Sequence, residues 1–181
     1  MNKKILEIPF VLMSVAMLIA PVLAAPATKI EGVTLTTATN LHPISSGTSI
    51  HNNIVHNEGT VDGTATLKIS EQSSLHFDYE GTWSGTSKWT GFPDPDSEGS
   101  NVVNSMVVLT CTDGDKDGTF EGTLHTKNIG LPPVLPPNGP WSYTETHMVL
   151  HGTGDFQGWT LKVSYAGEPP TDLEGTLIRP K

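Results

Sequence analysis

A five-residue pattern, with glycine at both ends and a bulky apolar residue in the middle, occurs four times in this chain. The copies are Gly59–Gly63, Gly81–Gly85, Gly118–Gly122 and Gly154–Gly158, centred on Val61, Trp83, Phe120 and Phe156. Because side chains alternate across a β-strand, each copy would place its glycines and its apolar residue on one face. A glycine inside a strand costs about 0.5–1 kcal/mol relative to alanine, so paired glycines indicate strands that bend around the central side chain. The pattern predicts a small closed or nearly closed barrel.

The rest of the chain also favours strands over helices. Apolar and polar residues alternate from Val61 to Ile69 and from Leu75 to Trp89, and the second run is long enough that it must bend at its glycines. Further strands are predicted at Val33–Ala38, Ser49–His56, Val102–Thr112, Thr119–Lys127, Tyr143–His151, Trp159–Ala166 and Leu173–Ile178. We therefore predict an all-β fold, a single antiparallel up-and-down barrel of about eight strands. Its two longer loops are predicted at Phe92–Asn101 and Leu131–Pro140.

The first 24 residues have the features of a cleaved signal peptide. Lys3 and Lys4 precede a mainly apolar stretch, and Val22 and Ala24 form the small-residue pattern of a signal-peptidase site. Cleavage after Ala24 would leave residues 25–181 as one secreted barrel domain without a membrane span. A retained membrane anchor is the alternative, but the break at Pro21 favours cleavage.

The charge balance excludes several classes of partner. Removing Lys3, Lys4 and Glu7 from the totals of 10 basic and 19 acidic residues leaves 8 and 18, a net charge of −10. Nucleic acids and anionic membranes are bound through clustered Lys and Arg, so neither is a predicted partner. The chain contains no Asn-x-Ser/Thr sequon, which favours a bacterial or archaeal origin. Its single cysteine, Cys111, cannot form an internal disulfide and is predicted to be a buried thiol beside Val107 and Leu109.

Two glycine-containing segments resemble those of known barrel proteins. The segment His151–Gly158 resembles the Gly-Thr-Gly-x-Phe-x-Gly turn of the allene oxide cyclase and dirigent barrels. Its Gly-Thr-Gly-Asp part (residues 152–155) also resembles a segment near the end of secreted archaeal and bacterial proteins of similar length, and Gly81–Thr86 is similar to a segment of the same proteins. The resemblance implies an eight-stranded, calycin-like barrel whose lumen holds an apolar ligand. It implies no catalytic residue, because no active-site position of the plant enzymes matches this chain. The segment also departs from the plant motif, since His151 replaces a glycine.

One acidic segment matches the beginning of a calcium-binding loop. Aspartates occupy positions 1, 3 and 5 of this loop, Gly118 occupies position 6 and an acidic residue occupies position 9. The predicted Ca²⁺ ligands are Asp113, Asp115, Asp117, Glu121 and the backbone carbonyl of Thr119. Leu124 stands at position 12, where an EF-hand has its bidentate Glu. An acidic hairpin turn is the alternative interpretation.

Neither the histidines nor the candidate nucleophiles predict a further metal-binding or catalytic site. His147 and His151 are four residues apart, which separates them by about 13 Å on a strand, so the seven histidines are predicted to lie on the surface. No strand-elbow-helix segment presents a nucleophilic serine, and no catalytic residue is predicted.

Inward-facing aromatic residues are the candidate ligand site. They are Phe77, Tyr79, Trp83 and Trp89, although core packing is the more usual role of inward aromatic side chains. Together these features predict a secreted, non-catalytic barrel that binds a small apolar molecule and has a stabilising calcium ion. A structural or interaction module of the cell envelope and a barrel cyclase or isomerase remain as alternatives, and the oligomeric state is left open.

Overall fold

Long antiparallel strands form this protein in a computed structural model, which describes residues 26–44, 49–51, 54–89, 99–130, 143–167 and 172–181. The strands are β1 (Thr28–Pro43), β2 (Ser49–His51), β3 (Ile54–Ser70), β4 (Ser73–Trp89), β5 (Gly99–Cys111), β6 (Thr119–Gly130), β7 (Tyr143–Gly152), β8 (Thr160–Gly167) and β9 (Asp172–Arg179). The predicted signal peptide and the Leu131–Pro140 loop lie outside the described residues. Residues 99–101 of the predicted loop at 92–101 belong to β5 instead, and residues 92–98 lie outside the described residues.

The eight long strands close into a barrel. Each strand from β3 to β9 pairs with its neighbours in the sequence, and β1 pairs with both β9 and β3. The short β2 pairs only with the beginning of β3. The predicted closed antiparallel barrel is therefore confirmed, and closure leaves no long edge exposed to other chains.

The alternation along β4 is preserved over its whole described length. Leu75, Phe77, Tyr79 and Trp83 are buried, whereas the alternate residues His76, Asp78, Glu80 and Thr82 are exposed. Val61, Trp83 and Phe120, at the centres of three glycine pairs, are at most 6% exposed. Within the described residues the only helical element is one 3-10 turn at Gly154–Phe156.

The glycines of β4 and β6 sit where neighbouring strands approach closely. A Cβ atom at Gly81 would clash with the carbonyl oxygen of Met106, and one at Gly122 would clash with that of Val149. Gly81 and Gly122 lie directly opposite Val107 from its two sides. Bulky side chains and glycines thus alternate around the barrel wall, and this alternation lets side chains fill a narrow lumen.

The strand interpretation of the fourth glycine pair is wrong. Gly154 and Gly158 have φ values of 57° and 83°, which no strand adopts, and the residues between them form the 3-10 turn and its exit. Glycine takes such left-handed conformations without a steric penalty. The turn folds Phe156 into the end of the barrel, where it is 1% exposed.

Aromatic rings close this end of the lumen. The ring centroids of Phe120 and Phe156 are 4.9 Å apart, and those of Phe77 and Phe120 are 5.9 Å apart. Trp159 packs against Phe156 at 5.5 Å, and the Arg179 guanidinium lies 5.8 Å from the centroid of the Trp159 ring. We call this end, with Phe77, Phe120, Phe156 and Trp159, the closed end.

Candidate functional site

The other half of the lumen contains a cavity of about 260 Å³. It lies toward the end where β4, β6 and β8 finish and β5, β7 and β9 begin, which we call the open end. Its wall combines apolar, aromatic, hydroxyl and amide side chains: Thr37, Thr39, Leu41, Asn57, Val61, Tyr79, Trp83, Asn101, Val103, Ser105, Leu124, Thr126, Asn128 and Met148. The lumen is therefore packed at one end and hollow toward the other.

The pairing register explains why space remains. Around Trp83, the directly opposed residues on β3 and β5 are Gly59 and Ser105. Two residues nearer the open end, Gly85 contributes no side chain at all. Small inward residues on β3, β4 and β5 therefore leave this part of the lumen empty. At the closed end, phenylalanine side chains fill the corresponding space.

Trp83 is held firmly in the cavity wall. Its indole Nε1 donates a hydrogen bond of 3.0 Å to the carbonyl oxygen of Thr60, and the side chain is 6% exposed. A Cβ atom at Gly59 would lie 2.8 Å from that same Nε1, so the ring depends on the missing side chain at Gly59. Trp83 therefore packs against its neighbours and also lines the cavity.

Tyr79 supplies a neutral hydroxyl to the same wall. It is 4% exposed, and burial raises the pKa of its phenol to about 12. The hydroxyl therefore stays protonated at physiological pH. It can donate or accept a hydrogen bond, but it is a poor proton-transfer group there.

A line of hydrogen bonds crosses four strands near the open end. Thr144 Oγ1 donates to Asn128 Oδ1 at 2.8 Å, Asn128 Nδ2 donates to Asn101 Oδ1 at 3.4 Å, and Asn101 Nδ2 donates to Ser87 Oγ at 2.7 Å. Each of these pairs is directly opposed in the register of β4 to β7. We call Ser87, Asn101, Asn128 and Thr144 the polar belt; it fixes the orientation of two of the three asparagine amides that line the cavity, those of Asn101 and Asn128.

One buried polar atom of the wall has no partner among the described residues. It is Oδ1 of Asn57, which packs over Gly85 at the position where a Cβ would otherwise be. An unsatisfied buried acceptor costs about 1–3 kcal/mol. An unpaired buried polar group in a native structure calls for an explanation. Asn57 lines the cavity, so a bound molecule is one candidate partner for its Oδ1.

The cavity carries no formal charge on its described lining. Tyr79 is the only titratable side chain there. Charged groups lie on the outer face, where His42 bonds Asp62 at 2.8 Å and His147 bonds Glu145 at 3.0 Å. Hydrogen bonds from Asn40, which contributes most, and from His42 lower the pKa of Asp62. The contact with His147 lowers the pKa of Glu145. The six histidines whose side chains are described are all exposed, as the sequence predicted.

The structure brings together two of the four predicted ligand residues. Tyr79 and Trp83 line the cavity, whereas Phe77 belongs to the closed end. Trp89 ends β4, and its side chain lies outside the described part of the chain. Sequence reasoning missed several polar members of the wall, among them Asn57, Asn101, Ser105 and Asn128. Their signal was a polar residue at an inward position of the alternation.

Two of the predicted calcium ligands, Asp113 and Glu121, form hydrogen bonds with different partners. Asp113 accepts hydrogen bonds of 2.9 Å from Nδ1 and from the backbone N–H of His76, and these contacts lower the pKa of Asp113. Glu121 accepts a 2.8 Å hydrogen bond from the hydroxyl of Thr119. In the described chain, no group of three or more His, Cys, Asp or Glu residues is arranged to hold a metal ion. Calcium binding by Asp113, Asp115, Asp117, Thr119 and Glu121 therefore stays a prediction.

Cys111 lies on the inward face at the closed end. It is partly buried, packs against the core and forms no disulfide. Desolvation raises the pKa of its thiol, which disfavours the reactive thiolate.

Comparisons with protein-family models, with curated proteins and with solved structures found no match. The resemblance to the allene oxide cyclase and dirigent barrels therefore stays a prediction. Separately, no helix in the described ranges is long and apolar enough to cross a membrane. The fold and the site together define a closed eight-stranded barrel with an uncharged internal cavity.

Proposed function

We propose that this protein is a secreted, non-catalytic barrel that binds a small, largely apolar molecule inside its lumen. The cavity of about 260 Å³ is the observation that supports this most strongly. Protein interiors rarely contain voids larger than a water molecule, and this one equals the liquid volume of roughly nine waters. Small eight-stranded barrels either fill the lumen with side chains or hold one small ligand there.

The size of the cavity limits the ligand. An apolar cavity of about 150 Å³ binds benzene, so a cavity of this size suits a molecule of roughly ten to fifteen non-hydrogen atoms. Val61, Leu124 and Met148 offer it apolar contact, and Trp83 and Tyr79 offer aromatic contact. The predicted small apolar ligand fits this lining.

The chemistry of the wall favours binding over catalysis. General acid–base catalysis works best with a group whose pKa lies near the operating pH, and the pKa of Tyr79 is about 12. No carboxylate, imidazole, amine or thiol occurs among the described lining residues. A cyclase or isomerase that acted by confinement alone is therefore the less favoured proposal. Export is proposed from the signal-peptide pattern of residues 1–24.

An interaction module of the cell envelope is the second candidate. Met106 and Val149 are 59% and 38% exposed on the outer face, where threonines flank Met106 on both neighbouring strands. Met106 and Val149 lie on either side of Thr123 on this face, and a contiguous exposed apolar patch marks an interaction site. If this face binds the envelope, Met106→Glu should move the protein from the envelope fraction to the soluble fraction, and Trp83→Phe should not.

Native mass spectrometry of protein purified from its own source tests the ligand-binding proposal. Thr126→Trp should fill the cavity, and Thr123→Trp places the same side chain on the exposed outer face of the same strand. We expect a bound small molecule on the wild type and on Thr123→Trp, and its loss from Thr126→Trp. A thermal melt confirms that both variants fold. The proposal fails if the wild type carries no small molecule, or if Thr126→Trp retains it fully.

A further inference from the structure

The cavity wall changes in polarity from its floor to its mouth. Along β3, Val61 lies deeper than Asn57, and along β6, Leu124 lies deeper than Thr126 and Asn128. On β5, Asn101 is the lining residue nearest the open end. The asparagine amides therefore lie near the mouth, whereas Val61 and Leu124 lie deeper, and the Ser105 hydroxyl lies at the level of Leu124.

The amides at the mouth are oriented before any ligand arrives. Asn101 and Asn128 belong to the polar belt, whose hydrogen bonds fix which atom of each amide is oxygen and which is nitrogen. Burial adds to this order, because Asn101 is 5% exposed and Asn128 is 8% exposed. Polar groups held in place by their neighbours recognise a partner at a low entropic cost.

Asn57 stands at the same level without such support. Its Oδ1 is buried against Gly85 and lacks a partner among the described residues. The terminal torsion of an asparagine is broad, so the amide can turn within the cavity and accept a hydrogen bond from a ligand. Asn57 is therefore the wall residue that gains most from a ligand donor.

From this arrangement, and resting on the proposed function, we infer that the cavity selects an uncharged ligand with a hydrogen-bonding group, such as a hydroxyl or an amide. Its apolar part lies against Trp83 and Met148, and its polar group lies among Asn57, Asn101 and Asn128. A wholly apolar ligand would displace water from these amides without replacing its hydrogen bonds. A charged ligand would lose its hydration and find no counter-charge on the described lining.

Three probes with the same bicyclic ring test this inference: naphthalene, 2-naphthol and 2-naphthoate. Equilibrium dialysis near pH 7 measures their binding to the mature protein. We expect 2-naphthol to bind most tightly, naphthalene about tenfold more weakly, as the loss of one hydrogen bond implies, and 2-naphthoate not at all.

Two single-residue variants of β3 test whether the Asn57 amide causes the preference for 2-naphthol. Asn57→Leu should abolish the tenfold preference for 2-naphthol over naphthalene, because it removes the unpartnered acceptor and keeps a side chain of similar size. Glu58→Leu, on the exposed outer face of β3, should leave the preference unchanged.

The outcomes separate the two proposals. If none of the three probes binds, the proposed ligand-binding function fails, and this inference fails with it. If naphthalene binds as tightly as 2-naphthol, or if 2-naphthoate binds as well as 2-naphthol, the lumen binds ligands but the inference is overturned. A preference that survives Asn57→Leu unchanged overturns the role of that amide.

Discussion

Replacing Trp83 with alanine tests whether the glycine pairs create a pocket that this ring must fill. The side chain is 6% exposed, and its indole N–H is bonded to the carbonyl of Thr60. Trp→Ala substitutions in cores typically cost about 3–5 kcal/mol, because the space that they leave is only partly refilled. The neighbours at Gly59 and Gly85 have no side chains to refill it. However, the ring already borders a cavity, so water can enter the space, and we expect a loss of about 3–4 kcal/mol.

Urea unfolding, followed by far-ultraviolet circular dichroism, measures this loss. For a domain of this length, about 3–4 kcal/mol corresponds to a fall in melting temperature of roughly 6–16 °C. Trp83→Phe is the matched control: it keeps a ring but loses the hydrogen bond to Thr60, and should cost about 1–2 kcal/mol. A Trp83→Ala protein within about 1 kcal/mol of the wild type would refute the packing role of Trp83.

Three further predictions follow from the wall, the surface and the acidic turn. Gly122→Ala should destabilise by about 1–3 kcal/mol because its Cβ meets the Val149 carbonyl, whereas Gly114→Ala, with open space around it, should stay within about 0.5 kcal/mol in the same urea assay. The pKa of Asp113 is lowered by His76, so its contribution to stability is present above its unfolded pKa of about 3.9 and is lost as the pH falls through the lower folded value. His76→Ala should therefore weaken the loss of stability between pH 5 and pH 2, and an unchanged pH profile would count against the contact. If the segment Asp113–Glu121 binds calcium, saturating calcium should raise the melting temperature by several degrees relative to chelator and Asp115→Ala should remove the difference; equal wild-type melts would contradict calcium binding.

The barrel was predictable from the sequence because its signal is local. Alternation from Leu75 to Trp89 assigns each side chain to a face, and the glycines mark where the strand coils. The end of the barrel at Gly154–Gly158 was not predictable by the same rule. The same five-residue pattern there forms a 3-10 turn with positive φ at both glycines, and Gly154 packs closely against Asp117 and Gly118, which are distant in the sequence.

The candidate site was only half predictable. Trp83 and Tyr79 follow from alternation, since inward aromatic residues stand out in the sequence. The polar belt depends on cross-strand register, which pairs Asn101 with Asn128 although they are 27 residues apart. A single sequence does not fix that register, so the four residues of the belt could not be placed next to one another from the sequence.

An NMR titration of the ¹⁵N-labelled protein with 2-naphthol tests the central claim most directly. Trp83 lines the cavity, and Trp159 packs at the closed end, so the two indole N–H signals are an internal comparison. The account predicts saturable shifts of the Trp83 indole and of the Asn101 and Asn128 side-chain amides, with the Trp159 signal unmoved. Shifts confined to Trp159, or no saturable shift at Trp83 and the two amides, would contradict a ligand site in the lumen.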